Sequence, residues 1–143
     1  MNLEHPPAEI VSKLLRDLGL ATRRENNQAW PVFVSFLPAN PDDAIAVFDT
    51  SGKLQGRIQR TGETITKPGI QVRVRAKDYK TGWKKINTIR QALDAVLRTP
   101  VTVDGRVYTL QSVTLTSDIT PIGQAPDSRR DEFTLNATLS FQF

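Results

Sequence analysis

The sequence predicts an α+β domain, an antiparallel or mixed β-sheet with two α-helices packed on one face, long loops and a C-terminal strand. Two segments repeat their apolar residues at helical spacing, and several others alternate apolar with polar residues at the period of a strand. Their order is helix, strand, strand, strand, helix, hairpin, strand. It lacks the repeated strand-helix-strand crossovers that build a parallel sheet.

The first helix opens at Pro6-Pro7, where a missing amide hydrogen costs nothing. Ile10, Val11, Leu14, Leu15 and Leu18 form one stripe, Glu9, Lys13, Arg16 and Asp17 the other, and Gly19 supplies the stop. Thr22 to Gln28 is polar and reads as a loop. An apolar strand follows from Trp30 to Leu37, with Pro31 arguing against a central position for its start. After a turn over Pro38 to Asp43, a second strand runs from Ala44 to Phe48, and Asp49-Thr50-Ser51-Gly52 reads as the turn that closes it.

Leu54 to Gly69 is a long connection punctuated by Gly56, Gly62, Pro68 and Gly69, and is expected to be mobile or hairpin-like. It carries Lys53 just before it, then Arg57, Arg60 and Lys67, against the single Glu63. From Ile70 to Lys77 the alternation is clean: Ile70, Val72, Val74 and Ala76 face one way, Gln71, Arg73, Arg75 and Lys77 the other. The spacing predicts a second helix from about Thr81 to Leu97, burying Trp83, Ile86, Ile89, Leu93, Val96 and Leu97 and ending before Pro100.

Val101-Thr102-Val103 and Arg106 to Leu110 flank Asp104-Gly105, a pair suited to a two-residue hairpin turn because both positions tolerate positive φ. The hairpin runs on to Leu115. Ser117 to Asp131 is a second polar loop with Pro121, Gly123, Pro126 and Arg129-Arg130. In the last strand Phe133, Leu135, Ala137, Leu139, Phe141 and Phe143 alternate with polar residues, so a slip of one residue would bury the polar set and the register is fixed. A chain of 143 residues with no composition break is read as a single domain, 1–143.

Composition narrows the chemistry. With no Cys, neither disulfides nor thiolate metal sites are available. The amino terminus lacks a secretory signal and no long apolar run occurs, so the chain is expected to be made and kept in water. His5, the single histidine, lies among prolines and is expected to be exposed and idle, which removes histidine-based triads and metal centres. Asp49-Thr50-Ser51-Gly52 invites comparison with the Asp-Thr-Gly turn of aspartic proteases, but Ser51 interrupts the motif. Asp42-Asp43 and the acidic residues between Asp127 and Glu132 read as solvated turns. No phosphate-binding loop or nucleophile elbow is present. The residue inventory supports no catalytic, cofactor-binding or metal site.

A net charge of +4 and a pI of about 9.7 allow contact with a polyanion without demanding it. The basic constellation is Arg57 and Arg60, then Arg73, Arg75 and Lys77, then Lys80, Lys84 and Lys85. It reads either as a solvated face or as a surface toward DNA or an acidic neighbour, with contacts indifferent to base sequence and sensitive to salt.

Ala46-Val47-Phe48-Asp49-Thr50-Ser51-Gly52 and Ile70-Gln71-Val72-Arg73-Val74-Arg75-Ala76, with Tyr79 and the following helix, are joined by Tyr108 to Val113, Pro121-Ile122-Gly123, Asp127 to Arg130 and the strand Phe133 to Phe143. From about Ala44 to the C-terminus this resembles the bacteriophage minor capsid proteins that include tail terminators. The resemblance implies a non-enzymatic α+β subunit of a homo-oligomeric ring, commonly a hexamer, that caps the tail tube protein and docks on the head connector. It places the chain in the virion neck after assembly in host cytoplasm, without a membrane partner. Genomic DNA would pass through the lumen without sequence-specific binding. On that reading Arg57, Arg60, Arg73, Arg75, Arg129 and Arg130 face neighbouring subunits or the lumen. Another neck role, in head completion or as a tail-tube-like subunit, or a sequence-independent DNA-binding module, remains the alternative.

Overall fold

In a computed structural model that describes residues 3–57, 59–62, 64–124 and 129–142, the first helix, α1 (Pro7–Asp17), begins on Pro6 and Pro7, as their ring geometry favours. Pro6 has no side chain that could cap the helix. The carboxylate of Asp49, from a strand, accepts the Ala8 amide at 2.9 Å instead. Gly19 takes φ +75° just past the helix end. Ile10, Val11, Leu14 and Leu15 are buried, as the stripe predicts.

The sheet contains β1 (Thr22–Arg23), β2 (Pro31–Val34), β3 (Ala44–Arg57), β4 (Thr64–Ala76), β5 (Leu97–Val103), β6 (Arg106–Leu115), β7 (Thr120–Gln124) and β8 (Asp131–Gln142). Its order is β1-β2-β3-β4-β8-β6-β5, with β7 beside β8. β1 with β2 and β2 with β3 are parallel and the other pairs antiparallel, so the sheet is mixed. The alternating C-terminal strand lies at its centre, against β4 on one side and β6 and β7 on the other. Helix α2 (Tyr79–Asp94) packs on β4, β6 and β8, while α1 packs on β2, β3 and β4 and also on β5. Strands from opposite margins therefore meet one helix, and the sheet curls around it. Ile45, Val47, Ile70, Val72, Val74, Phe133, Leu135 and Leu139 supply the sheet's side of the core.

Several boundaries differ from the sequence reading. The strand placed at Trp30 to Leu37 shrinks to Pro31–Val34 because Trp30 at φ 57° and Ser35 at φ 69° break the extended backbone on either side. The loop at Thr22 to Gln28 contains β1 and a 3-10 turn, Arg24–Asn26. Helix α2 starts two residues earlier than Thr81, since the Asp78 side chain accepts the Thr81 amide at 3.3 Å and caps it. It also ends earlier. Leu97, expected in the core, is 73% exposed and opens β5, which runs through Pro100. Trp83, expected on the buried stripe, is 41% exposed.

Asp49-Thr50-Ser51-Gly52 is not a turn. β3 passes through it to Arg57, with a register shift between Thr50 and Lys53. A Cβ on Gly52 would stand 2.0 Å from the Lys67 carbonyl oxygen, so the glycine marks close backbone approach. The loop at Ser117 to Asp131 contains β7, and Asp131 already belongs to β8. Pro126, Asp127, Phe143, Ile58 and Glu63 lie outside the described residues. The Asp104-Gly105 turn is as predicted, with φ 48° and 80°. Counting back from the Val103–Arg106 pair that flanks it, Pro100 opposite Thr109 occupies a position where an amide would point away from β6.

Candidate assembly surfaces

Three surfaces hold the residues singled out by the sequence. The first is a hairpin arm. β4 pairs with β8 only from Gly69 onward, whereas its ladder with β3 continues out to Arg57 opposite Thr64. The outer hairpin thus stands beyond the central sheet with β3 and β4 as each other's partners. That answers the expectation for Leu54 to Gly69: it is hairpin-like, and most of it is strand. Leu54 is 78% exposed near the arm's base, where it lines a shallow hollow of about 250 Å³ with Gly52, Lys53, Lys67 and Pro68. Lys53, Arg57, Arg60 and Lys67 make no ion pair with a described carboxylate.

The second surface is the sheet face turned away from the helices. The Arg73 guanidinium lies over the Phe48 ring at 5.3 Å and donates to Gln71 Oε1 at 3.3 Å. Gln71 in turn donates to Asn136 Oδ1 at 3.2 Å, and the Asn136 backbone amide donates to Ser117 Oγ at 3.0 Å. These side chains project to one face because their register positions coincide, Phe48 opposite Gln71 and Gln71 opposite Asn136. Arg73 Nε is buried with no acceptor, so this row is held by partial satisfaction rather than by an ion pair.

The third is a clamp, and it corrects the reading of Arg75 and Arg130. Arg75 is 4% exposed and donates to the carbonyls of Pro41, at 2.5 Å, and Asp42, at 3.2 Å. Arg130 donates to the Ala39 carbonyl and lies 3.6 Å from the Asp42 carboxylate. Burial, and then the nearby charge of Arg130, hold the Arg75 pKa below the usual arginine range. Both arginines are committed to fixing residues 39–42 against the sheet. Arg129, at φ 54°, is exposed beside them.

The predicted basic constellation is therefore not one cluster. Arg57 pairs with Thr64, nine residues before Arg73 on β4, which at ~3.3 Å per residue separates the two by about 30 Å along the strand. Arg57 and Arg60 belong to the arm, Arg73 to the bare sheet face, and Arg75 and Arg130 to the clamp.

The acidic candidates are accounted for structurally. Asp49 caps α1, and Asp43 accepts the Lys77 amide at 2.9 Å. Asp43 is thus a structural acceptor rather than a solvated turn residue. Among the described residues no group of three or more His, Asp or Glu side chains could hold a metal ion, and no helix is long and apolar enough to cross a membrane.

His5 is also corrected. Its Nδ1 lies 2.6 Å from the Tyr108 hydroxyl and its Nε2 3.3 Å from Asp104, so it fastens the N-terminal segment to the β5–β6 hairpin. Sequence reasoning missed this contact because it links positions 103 residues apart. It also missed the exposed aromatic pair Tyr79 and Trp83. Their i, i+4 spacing beside lysines was the available signal.

Comparison with known proteins gives a family match over most of the chain. The profile of the bacteriophage tail terminator protein family covers residues 14–143. No curated protein matches the chain. One similar solved structure shares 15% identity over 94% of both chains, with a TM-score of 0.46, too distant to bear on function.

Proposed function

The chain belongs to the bacteriophage tail terminator family, and from that premise we propose that it is a subunit of a ring that caps the tail tube and joins it to the head connector. As a member of that family it is a structural component of the phage tail. The observation that carries the finer reading is the projecting arm, an element whose length exceeds anything its own core requires.

A closed ring needs two different surfaces on each subunit that fit one another head to tail. The arm of β3 and β4 is one such surface, and the body of a neighbour supplies the other. The β5 margin is a poor candidate for continuing the sheet into a neighbour, because Pro100 offers no outward amide and Arg98 at φ 46° bends the strand. Contact would come from side chains and from the arm.

Arg57 and Arg60 on the arm, with Arg73 and Arg129 elsewhere on the body, are assigned to subunit interfaces or to the lumen. Lys53, Arg57, Arg60 and Lys67 of the arm, none of them in an ion pair with a described carboxylate, suit a passage through which DNA slides, since phosphate contacts are independent of base sequence. The fold and residue inventory serve shape and fit, and we assign no catalytic role.

The test is the position of the protein in intact particles by cryo-electron microscopy, combined with the variant Arg57→Gln/Arg60→Gln/Arg73→Gln. A ring of density at the top of the tail, and variant particles with impaired head-tail joining or DNA delivery, are expected. Density elsewhere overturns the ring assignment. Normal joining and delivery by the variant returns these arginines to the solvated surface.

A further inference from the structure

We propose that the aromatic ledge at the start of α2, Tyr79 with Trp83, is a docking site for an acidic, aliphatic segment of a different virion protein. The inference rests on the reading of the chain as a tail assembly protein and adds a surface and a class of partner.

Tyr79 is 51% and Trp83 41% exposed, one helical turn apart on the same flank of α2. Both lean on the fully buried Phe133, with ring centroids 5.3 and 6.3 Å away. Gly82 permits this seat, since a Cβ there would stand 2.7 Å from Phe133 Cε2. The ledge is therefore fixed by the core before any partner arrives, which lowers the ordering cost of binding. Pro121, exposed and directly across the ladder from Phe133, adds aliphatic surface on the Phe133 side. Tyrosine and tryptophan in such settings dominate interface energetics.

Charge selects the partner. Lys77, Lys80 and Lys84 are exposed around the ledge and make no ion pair with a described carboxylate. The nearby Asp78 spends its carboxylate on the Thr81 amide and hydroxyl. A second copy is a poor complement, because the chain carries a net charge of +4 and four of its described carboxylates already face arginines: Glu4 with Arg106, Glu25 with Arg24, Asp42 with Arg130 and Asp118 with Arg90. Nucleic acid would use the lysines and the rings but not the aliphatic surface at Pro121. An acidic segment carrying aliphatic side chains uses all of it.

The test places the photo-cross-linker p-benzoylphenylalanine at Tyr79, and in a second strain at Lys80, in phage grown with the substituted protein. After irradiation of purified virions, mass spectrometry should find the adduct on an acidic stretch of another virion protein. Lys80→Glu/Lys84→Glu should lower its yield tenfold or more. Adducts on another copy of this chain or on DNA, or none at either position in virions that contain the chain, overturn the proposal. Virions that lack the chain overturn the tail terminator reading along with it.

Discussion

The Nδ1 atom of His5 and the hydroxyl of Tyr108 lie 2.6 Å apart, closing a loop of 103 residues between the segment before α1 and strand β6. Glu4 adds an ion pair to Arg106 at 2.7 Å, so two consecutive residues grip the same hairpin. Because Tyr108 is almost fully buried, its hydroxyl depends on that imidazole. A double-mutant cycle of His5→Ala and Tyr108→Phe should give a coupling of about 1 kcal/mol in chemical denaturation. Strict additivity would mean the contact contributes nothing.

Asp49→Ala should destabilise the fold by about 0.5–2 kcal/mol, the range for losing a helix cap, although Asp49 lies 41 residues from the amide it serves. Asp49→Asn keeps an acceptor and should recover most of the loss. Thermal melts of the two variants make the comparison.

Gly52→Ala and Gly69→Ala should each disturb the base of the arm. The new methyl would meet the Lys67 carbonyl at 2.0 Å in the first, and the Ser51 carbonyl at 2.7 Å in the second. Overpacking of this kind costs about 1–3 kcal/mol. Hydrogen exchange should show the change concentrated in β3 and β4, with α1 protected as before.

Arg75→Met should loosen residues 39–42, which Arg130 still holds at Ala39 and Asp42, and cost about 1.5–3 kcal/mol, the range for hydrogen bonds to a charged donor. Arg75→Lys should rescue it only in part, because one ammonium cannot reproduce a planar fork that reaches two carbonyls. Limited proteolysis near Pro41 reads the outcome directly.

Burial pushes the pKa of Lys85, whose Nζ lies 5.1 Å from the Trp30 ring centroid, below the ordinary lysine value of 10.5. The folded chain then loses this proton at a lower pH than the unfolded chain does. In the window ending at 10.5 the unfolded state holds more protons, so raising the pH through it favours folding at this site. Lys85→Met should remove that increment. Denaturation midpoints of the two proteins, followed as pH rises toward 10.5, should diverge least at the alkaline end.

The α+β class, both helices, the Asp104-Gly105 hairpin and the alternating face of β8 were legible in the sequence because each is encoded locally, by period or by turn chemistry. Gly52 and Gly69 misled for a physical reason. A glycine that ends a strand and one that lets two strands approach look alike until the partner strand is known. Tertiary contact explains the other departures. Asp49 serves a distant helix, His5 a distant tyrosine, and Arg75 a loop that crosses the sheet face, none of which periodicity encodes. Among the proposed interface residues, Arg57 and Arg60 fall on a surface that reaches outward, whereas Arg75 and Arg130 carry the same charge but are turned inward.

Pro100 on the outermost strand carries a consequence for the chain before it meets any partner. Protein newly made in quantity is crowded with its own copies, and an open row of backbone donors would let them stack indefinitely. With the ring nitrogen of Pro100 occupying the outward position, that margin is a poor template for such growth.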